Sequence, residues 1–248
     1  MLEVVGLRKS FGSLVVADDV SIRLEEGERR VILGPNGAGK TTLFNLLTGD
    51  LKPDAGDILV DGESVTSLPV EARARLGLAR SYQKNNLFER LKIGENLALA
   101  AAAAMDLSGS LFRDTHRDPS LQRVVADVAA QVGLADLLDT PVRNASYGNR
   151  RQLEVGLALA NRPKVLLMDE PTSGVGPGMI EAFHDLLTSL PRDLTVLIIE
   201  HDMDLAFDVA DRITVLNYGS VVFEGTPDET RASPLVNEIY LGDWSARA

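Results

Sequence analysis

Hydrophobic positions along this chain follow one rhythm at both ends and a different one in the middle. Residues 15–24 form a β-rich run, and residues 29–33 a compact apolar strand behind the turn at Glu26-Gly27. Residues 58–60 form another strand, closed by Asp61-Gly62. The first 60 residues therefore read as short strands, broken by a glycine-rich loop, a helix over about 40–48 and a turn over 52–56. From Pro163 the alternation returns. Runs 165–168 and 194–199 are continuously apolar, as parallel strands buried on both faces require. Helices over about 178–190 and 202–210 follow them, and 213–216 with 221–223 read as a hairpin around Tyr218-Gly219. Strands alternating with helices predict an α/β core.

Residues 84–162 lack strand patterns. Alanine- and leucine-rich helical periodicities occupy about 94–105, 120–132 and 149–161, and 108–119 reads as a polar surface loop. The expectation is a single domain over 1–248, with a core from 1–83 and 163–248 and a helical insertion at 84–162. The most apolar run, 97–105, is mostly alanine. It falls far short of the ~20 residues of a membrane-spanning helix. The N-terminus has no basic region followed by an apolar stretch, so no signal peptide is expected.

Charge removes one class of partner. The net charge of −11 argues against broad nucleic-acid binding, which needs basic surface. It leaves room for a single nucleotide, held by backbone amides and one lysine. With no cysteine, disulfides and thiolate metal sites are excluded, and a reducing compartment is suited.

The chemistry begins at Gly34-Pro35-Asn36-Gly37-Ala38-Gly39-Lys40-Thr41, which matches the phosphate-binding pattern G-x-x-x-x-G-K-[ST] between a strand and a helix. Gly34, Gly37 and Gly39 let backbone N–H groups turn inward around phosphate, and the helix N-terminus adds positive potential. Lys40 is placed to reach the β- and γ-phosphates, and Thr41 to offer its hydroxyl to Mg²⁺. Asn36 and Thr42 belong to the same binding segment. Val165-Leu166-Leu167-Met168-Asp169-Glu170 is an apolar strand ending in two carboxylates. Asp169 suits Mg²⁺ held through water, and Glu170 is placed to polarise an attacking water. Together these motifs specify ATP or GTP binding. His116 and His184 have no comparable context and read as surface residues.

Three further features narrow the class. Asn144-Ala145-Ser146-Tyr147-Gly148-Asn149-Arg150-Arg151-Gln152 lies ahead of a helix, Gln83 follows the strand 78–82, and Glu200-His201-Asp202 follows the strand 194–199. Each alone is ordinary: a serine before a helix is commonly its cap. In this order they resemble the signature, the glutamine loop and the switch histidine of ATP-binding-cassette (ABC) ATPases. The resemblance implies a P-loop NTPase core of mixed sheet, an antiparallel β subdomain and a helical subdomain. It also implies roles. Phe11 would stack on adenine, although aromatic residues are also commonly core. Gln83 would sense Mg²⁺ and the attacking water, and His201 would hold the γ-phosphate and orient that water with Glu170. Ser146 and Gly148 would contact a γ-phosphate bound to a second ATPase subunit. The chain departs from the common signature at Ala145, Tyr147 and Asn149, and has Gly176 where the family has aspartate before Pro177.

Several stretches are similar to the ATPases of branched-chain amino acid uptake systems. They are Gly77-Leu78-Ala79-Arg80-Ser81-Tyr82-Gln83 with Leu87-Phe88 and Glu95-Asn96-Leu97, and Glu200-His201-Asp202-Met203-Asp204 with Val209-Ala210-Asp211-Arg212-Ile213. Relatives carrying urea or short amides look alike. This resemblance implies ATP and Mg²⁺ as ligands, and membrane permeases and an external substrate-binding protein as partners. It implies a peripheral place on the cytoplasmic face of the membrane. An export-type cassette and a non-transport ABC ATPase remain open; a small-molecule kinase fits poorly with the signature segment and His201.

Overall fold

The computed structural model describes residues 1–81, 87–105, 118–173 and 177–245. Strands β1 (Leu2–Phe11), β2 (Leu14–Leu24), β4 (Ala55–Val60) and β5 (Glu63–Ser64) pair antiparallel in the order β2-β1-β4-β5. A second sheet contains β3 (Arg29–Leu33), β6 (Leu78–Arg80), β7 (Val165–Asp169), β8 (Thr195–Ile199), β9 (Arg212–Asn217) and β10 (Ser220–Gly225). Its order is β10-β9-β3-β8-β7-β6. All its pairings are parallel except that of β10 with β9, which makes the sheet mixed.

Strand periodicity splits the interior into two cores. In β3, β7 and β8, Val31, Leu33, Leu166, Met168, Val196 and Ile198 face one side. Ile32, Val165, Leu167, Leu197 and Ile199 face the other. This is the two-residue alternation of a pleated strand buried on both faces. The first face meets α3 (Ile93–Ala104), α4 (Pro119–Gln131), α5 (Tyr147–Ala160), α6 (Pro177–Ser189) and α7 (Met203–Val209), through residues such as Leu97, Val128, Leu153, Phe183 and Leu205. The second meets the antiparallel sheet and α1 (Lys40–Thr48), through Leu43, Phe44, Leu46 and Leu47. No helix among the described residues is long and apolar enough to cross a membrane.

The helix starts obey local chemistry. Asp118 caps α4, with Pro119 at its first position. Asp202 caps α7 by accepting from the N–H groups of Asp204 and Leu205. Thr226 and Glu229 form a reciprocal capping box on α8 (Pro227–Ala232). The helix α9 (Pro234–Ser245) closes the chain.

Three sequence expectations need correction. The first strand is not short: β1 spans 10 residues, while β2, at 11, lies within a residue of the expected run 15–24. Register shifts along β1 and positive φ at Gly6 break the alternation that would have announced it. β4 begins at Ala55, inside the expected turn. His184 is half-buried, with Nε2 3.8 Å from Asp208 across α6 and α7. His116 and most of the polar stretch 108–119 lie outside the described residues.

The far end of α1 has an anchor that no motif announces. Arg73, on α2 (Val70–Arg75), is fully buried with no carboxylate partner among the described residues. Its Nη1 donates to the carbonyls of Leu46 and Leu47 at 2.8 and 2.7 Å, Nη2 to Thr66 at 2.9 Å and Nε to Leu68 at 3.0 Å. A cation there satisfies open carbonyls at the helix C-terminus and complements the helix dipole. Arg73→Met is expected to cost about 2–4 kcal/mol of unfolding free energy. Urea titration followed by circular dichroism checks this; an unchanged midpoint would show that the anchor contributes nothing.

Candidate functional site

Parallel pairing of β3, β8 and β7 sets three loops side by side at their C-terminal ends, where ligands bind in open α/β sheets. The loop 34–39 leaves β3 and enters α1. Its glycines are sterically required. A Cβ on Gly34 would lie 2.4 Å from the Leu216 carbonyl oxygen. Gly39 has φ +101°, and a Cβ there would meet the Val16 carbonyl oxygen at 2.5 Å. Asn36, Gly37 and Thr41 are exposed along this loop and Thr42 is half-buried.

Lys40 is 7% exposed, and its Nζ donates to the carbonyls of Gly34 and Pro35. Burial lowers its pKa, while the carboxylates of Glu170, Asp169 and Glu200 pull it back up. Asp169 ends β7, opposite Ile199 of β8, and is 5% exposed. Burial first, then the neighbouring Glu170 carboxylate, push its carboxyl up to about 6. A carboxylate so costly to charge, and the hydroxyl of the exposed Thr41 at the start of α1, are both oxygen donors that suit a hard divalent cation, which would repay the charge.

Glu170 has a left-handed backbone, with φ +42°. Its N–H donates to the Ile199 carbonyl at 2.8 Å, and its own carbonyl accepts from Ser173 N–H at 3.0 Å. His201 follows β8, and its Nδ1 lies 3.8 Å from Glu170 Oε1 and 3.6 Å from Glu200 Oε2. The structure thus brings Lys40, Thr41, Asp169, Glu170 and His201 to one edge.

Sequence reasoning passed over Glu200 as part of a motif. It is fully buried, and its Oε1 accepts from the Thr172 hydroxyl at 2.7 Å. Its Oε2 accepts from the N–H of His201 at 3.0 Å and of Asp202 at 3.4 Å. One carboxylate therefore ties the loop after Glu170 to the loop that carries His201. Only its place at the end of an apolar strand could have hinted at this.

Other expected residues fall in different places. Phe11 ends β1 and is 52% exposed, with Lys9 Nζ 5.7 Å from its ring centre, so it is not core. Ser146 is exposed and caps α5: its hydroxyl accepts from Asn149 N–H at 3.1 Å and donates to Asn149 Oδ1 at 2.6 Å. Gly148 is buried in the first turn of that helix. Gln83 and Gly176 lie outside the described residues.

A phosphate-binding loop on β3, facing two carboxylates on β7 across a histidine on β8, defines a P-loop nucleotide hydrolase. The chain belongs to the ABC transporter family, whose sequence profile matches residues 17–173, and it is one of that family's ATPases. It is 36% identical to the high-affinity branched-chain amino acid transport ATP-binding protein LivG of Escherichia coli (strain K12), over 98% of each chain. It is 34% identical to the lipopolysaccharide export system ATP-binding protein LptB of Haemophilus influenzae, again over 98% of each. The ADP conformation of MJ1267, an ATP-binding cassette of an ABC transporter, superposes with a TM-score of 0.83 at 28% identity, covering 98% of each chain.

The raised carboxyl of Asp169 gives a pH signature. Unfolded aspartate titrates near pH 4 and folded Asp169 near 6. The folded state holds the extra proton between these values, so the cost of the charge is complete above pH 6 and absent below about 4. In EDTA without nucleotide, Asp169→Asn is expected to be about 1–2 kcal/mol more stable than the native chain at pH 7.5. That advantage should shrink as pH falls through 6 and vanish near 4. Urea unfolding across this range measures it; a difference independent of pH would refute the assignment.

Proposed function

We propose that this ATPase powers uptake of branched-chain amino acids, or of a related small polar solute such as urea or an amide, through separate membrane permease subunits. The observation that carries this reading is similarity to LivG over 98% of each chain, at 36% identity. Export is the second reading, favoured by the nearly equal likeness to LptB. Deletion of the gene separates them: loss of energy-dependent uptake of labelled leucine supports import, and intact uptake of leucine, urea and amides counts against it.

The proposed chemistry follows the geometry. Backbone amides of Gly34, Asn36, Gly37 and Gly39, with Thr41 and Thr42, enclose the phosphates, while Phe11 stacks on adenine. Lys40 exchanges the Gly34 and Pro35 carbonyls for β- and γ-phosphate oxygens, a better match for its charge. Thr41, Asp169 and Gln83 would hold Mg²⁺, which would supply positive charge for the phosphate oxygens. Glu170 accepts a proton from the attacking water, and His201, beside it, holds the γ-phosphate and orients that water.

The loop 34–41 covers one side of the γ-phosphate. Ser146 and Gly148 of a second ATPase subunit cover the other, since a helix N-terminus favours an anion. Two nucleotides then lie between two head-to-tail chains, and hydrolysis opens the pair. The permease docks against the surface after Gln83, around residues 85–91, where Phe88 is exposed. An external substrate-binding protein delivers the solute, and the chain sits peripherally on the cytoplasmic side of the membrane. The same reading assigns 84–162 to a helical subdomain and the rest to the core.

Glu170→Gln is expected to keep ATP binding and lose hydrolysis by about 10²–10⁴-fold, whereas Lys40→Ala weakens binding itself. The Glu170→Gln chain should dimerise with ATP and not with ADP in light scattering. Adding Ser146→Arg should abolish that dimer and leave ATP bound. A double variant that still dimerised fully would remove the assignment of Ser146.

A further inference from the structure

The helix that presents Ser146 also grips the catalytic loop of its own chain. Arg151 lies one turn inside α5 and is buried. Its Nη1 donates to Glu154 Oε2 at 2.8 Å, and its Nη2 donates to the carbonyl of Glu170 at 3.3 Å. Tyr147, in the first turn of the same helix, donates its phenol proton to the Ser173 carbonyl at 3.2 Å. Two side chains of α5 therefore hold two carbonyls of the loop that starts at Glu170.

We propose that Arg151, braced by Glu154 and assisted by Tyr147, is a positioning residue that sets Glu170 for hydrolysis and couples it to the Ser146 segment. The proposal rests on the reading above that Glu170 is the base. Three observations support it. The left-handed backbone of Glu170 is unfavourable for a side-chain-bearing residue and persists only where its surroundings over-determine it. Arg151 is one of the groups that do so, and it comes from a different part of the chain than Ile199 or Ser173. A buried arginine–glutamate pair is also a poor way to stabilise a fold, because an apolar pair of equal volume does as well or better. Burial pushes the Glu154 carboxyl up against the pull of Arg151. Finally, Tyr147 stands where the common signature has glycine, and its hydroxyl reaches a backbone that glycine cannot touch.

The geometry has a consequence for the pair of sites. Ser146 faces the partner's nucleotide in the proposed dimer, whereas Glu170 serves the chain's own. Both are fixed to α5 within two turns. A shift of α5 on meeting the partner's γ-phosphate would therefore be felt at the chain's own Glu170. Each chain links one ATP site to the other through a single helix.

The test uses the full-length chain, with hydrolysis measured beside equilibrium binding of a non-hydrolysable ATP analogue. Arg151→Met combined with Glu154→Leu replaces the ion pair by apolar side chains and keeps the packing. Expected are analogue affinity and stoichiometry within about twofold of native, and kcat lower by about tenfold or more, because small misplacement of a catalytic group is costly. Arg151→Lys keeps the charge facing Glu154 but lacks the second arm, and Tyr147→Phe removes one hydroxyl. Each should lower kcat by about two- to fivefold with affinity kept. Combining Tyr147→Phe with the apolar pair should cost less than the product of the two effects, since both act on one loop. Should the apolar pair fail to fold, the two milder variants decide. Native kcat in both, or a kcat that falls only in step with analogue stoichiometry, overturns the proposal. Glu170→Gln in the same assay separates the two levels: native hydrolysis there would remove Glu170 as the base, whatever the Arg151 variants do.

Discussion

The parallel register of β8 between β3 and β7 is the constraint on which the site depends. β8 pairs Val196 to Arg29 on one side and to Leu166 on the other, so all three strands end at one level. Their last residues then deliver the phosphate-binding loop, Glu200-His201 and Asp169-Glu170 to one edge. A slip of one residue in any of them would exchange its two faces and turn the side chains of both cores inside out. The hydrophobic interior and the chemistry are thus enforced by the same hydrogen-bond ladder.

At that edge the protein concentrates charge that it does not balance alone. Three carboxylates, Asp169, Glu170 and Glu200, surround a single buried lysine. Glu200 is satisfied by backbone N–H groups and the Thr172 hydroxyl, and so acts as a fixed clasp between loops. Burial and the neighbouring Glu170 carboxylate push the Asp169 carboxyl up, against the pull of Arg80 and Lys40.

Much of this was legible in the chain. The helix over 40–48 and the apolar runs behind Asp169 and His201 are local patterns, set by neighbours in sequence, and the structure places them within a residue or two. What escaped is long-range. The length of β1 is hidden by register shifts, and it is set by its pairing with β2 and β4 rather than by alternation. Nothing local marks Arg73 or Arg151 as buried, because burial of an arginine depends on carbonyls that arrive from distant segments. The Arg151–Glu154 spacing of i, i+3 was visible and consistent with an ordinary exposed pair. Nothing local distinguishes that from a buried brace.

The six-stranded sheet also behaves as a partition wall. Helix α1, which carries the grip on phosphate, is packed entirely within the core it shares with the antiparallel sheet. Helices α3, α4 and α5 share the opposite core with α6 and α7. Among the described residues, no buried apolar side chain is common to both cores. Sliding of the helical side over its face of the wall would repack Leu97, Val128 and Leu153, and leave Leu43, Phe44 and Leu47 undisturbed. A change of packing on one face of the wall need not pass through the apolar interior to the other, as a bench can be moved while the vice on it stays shut.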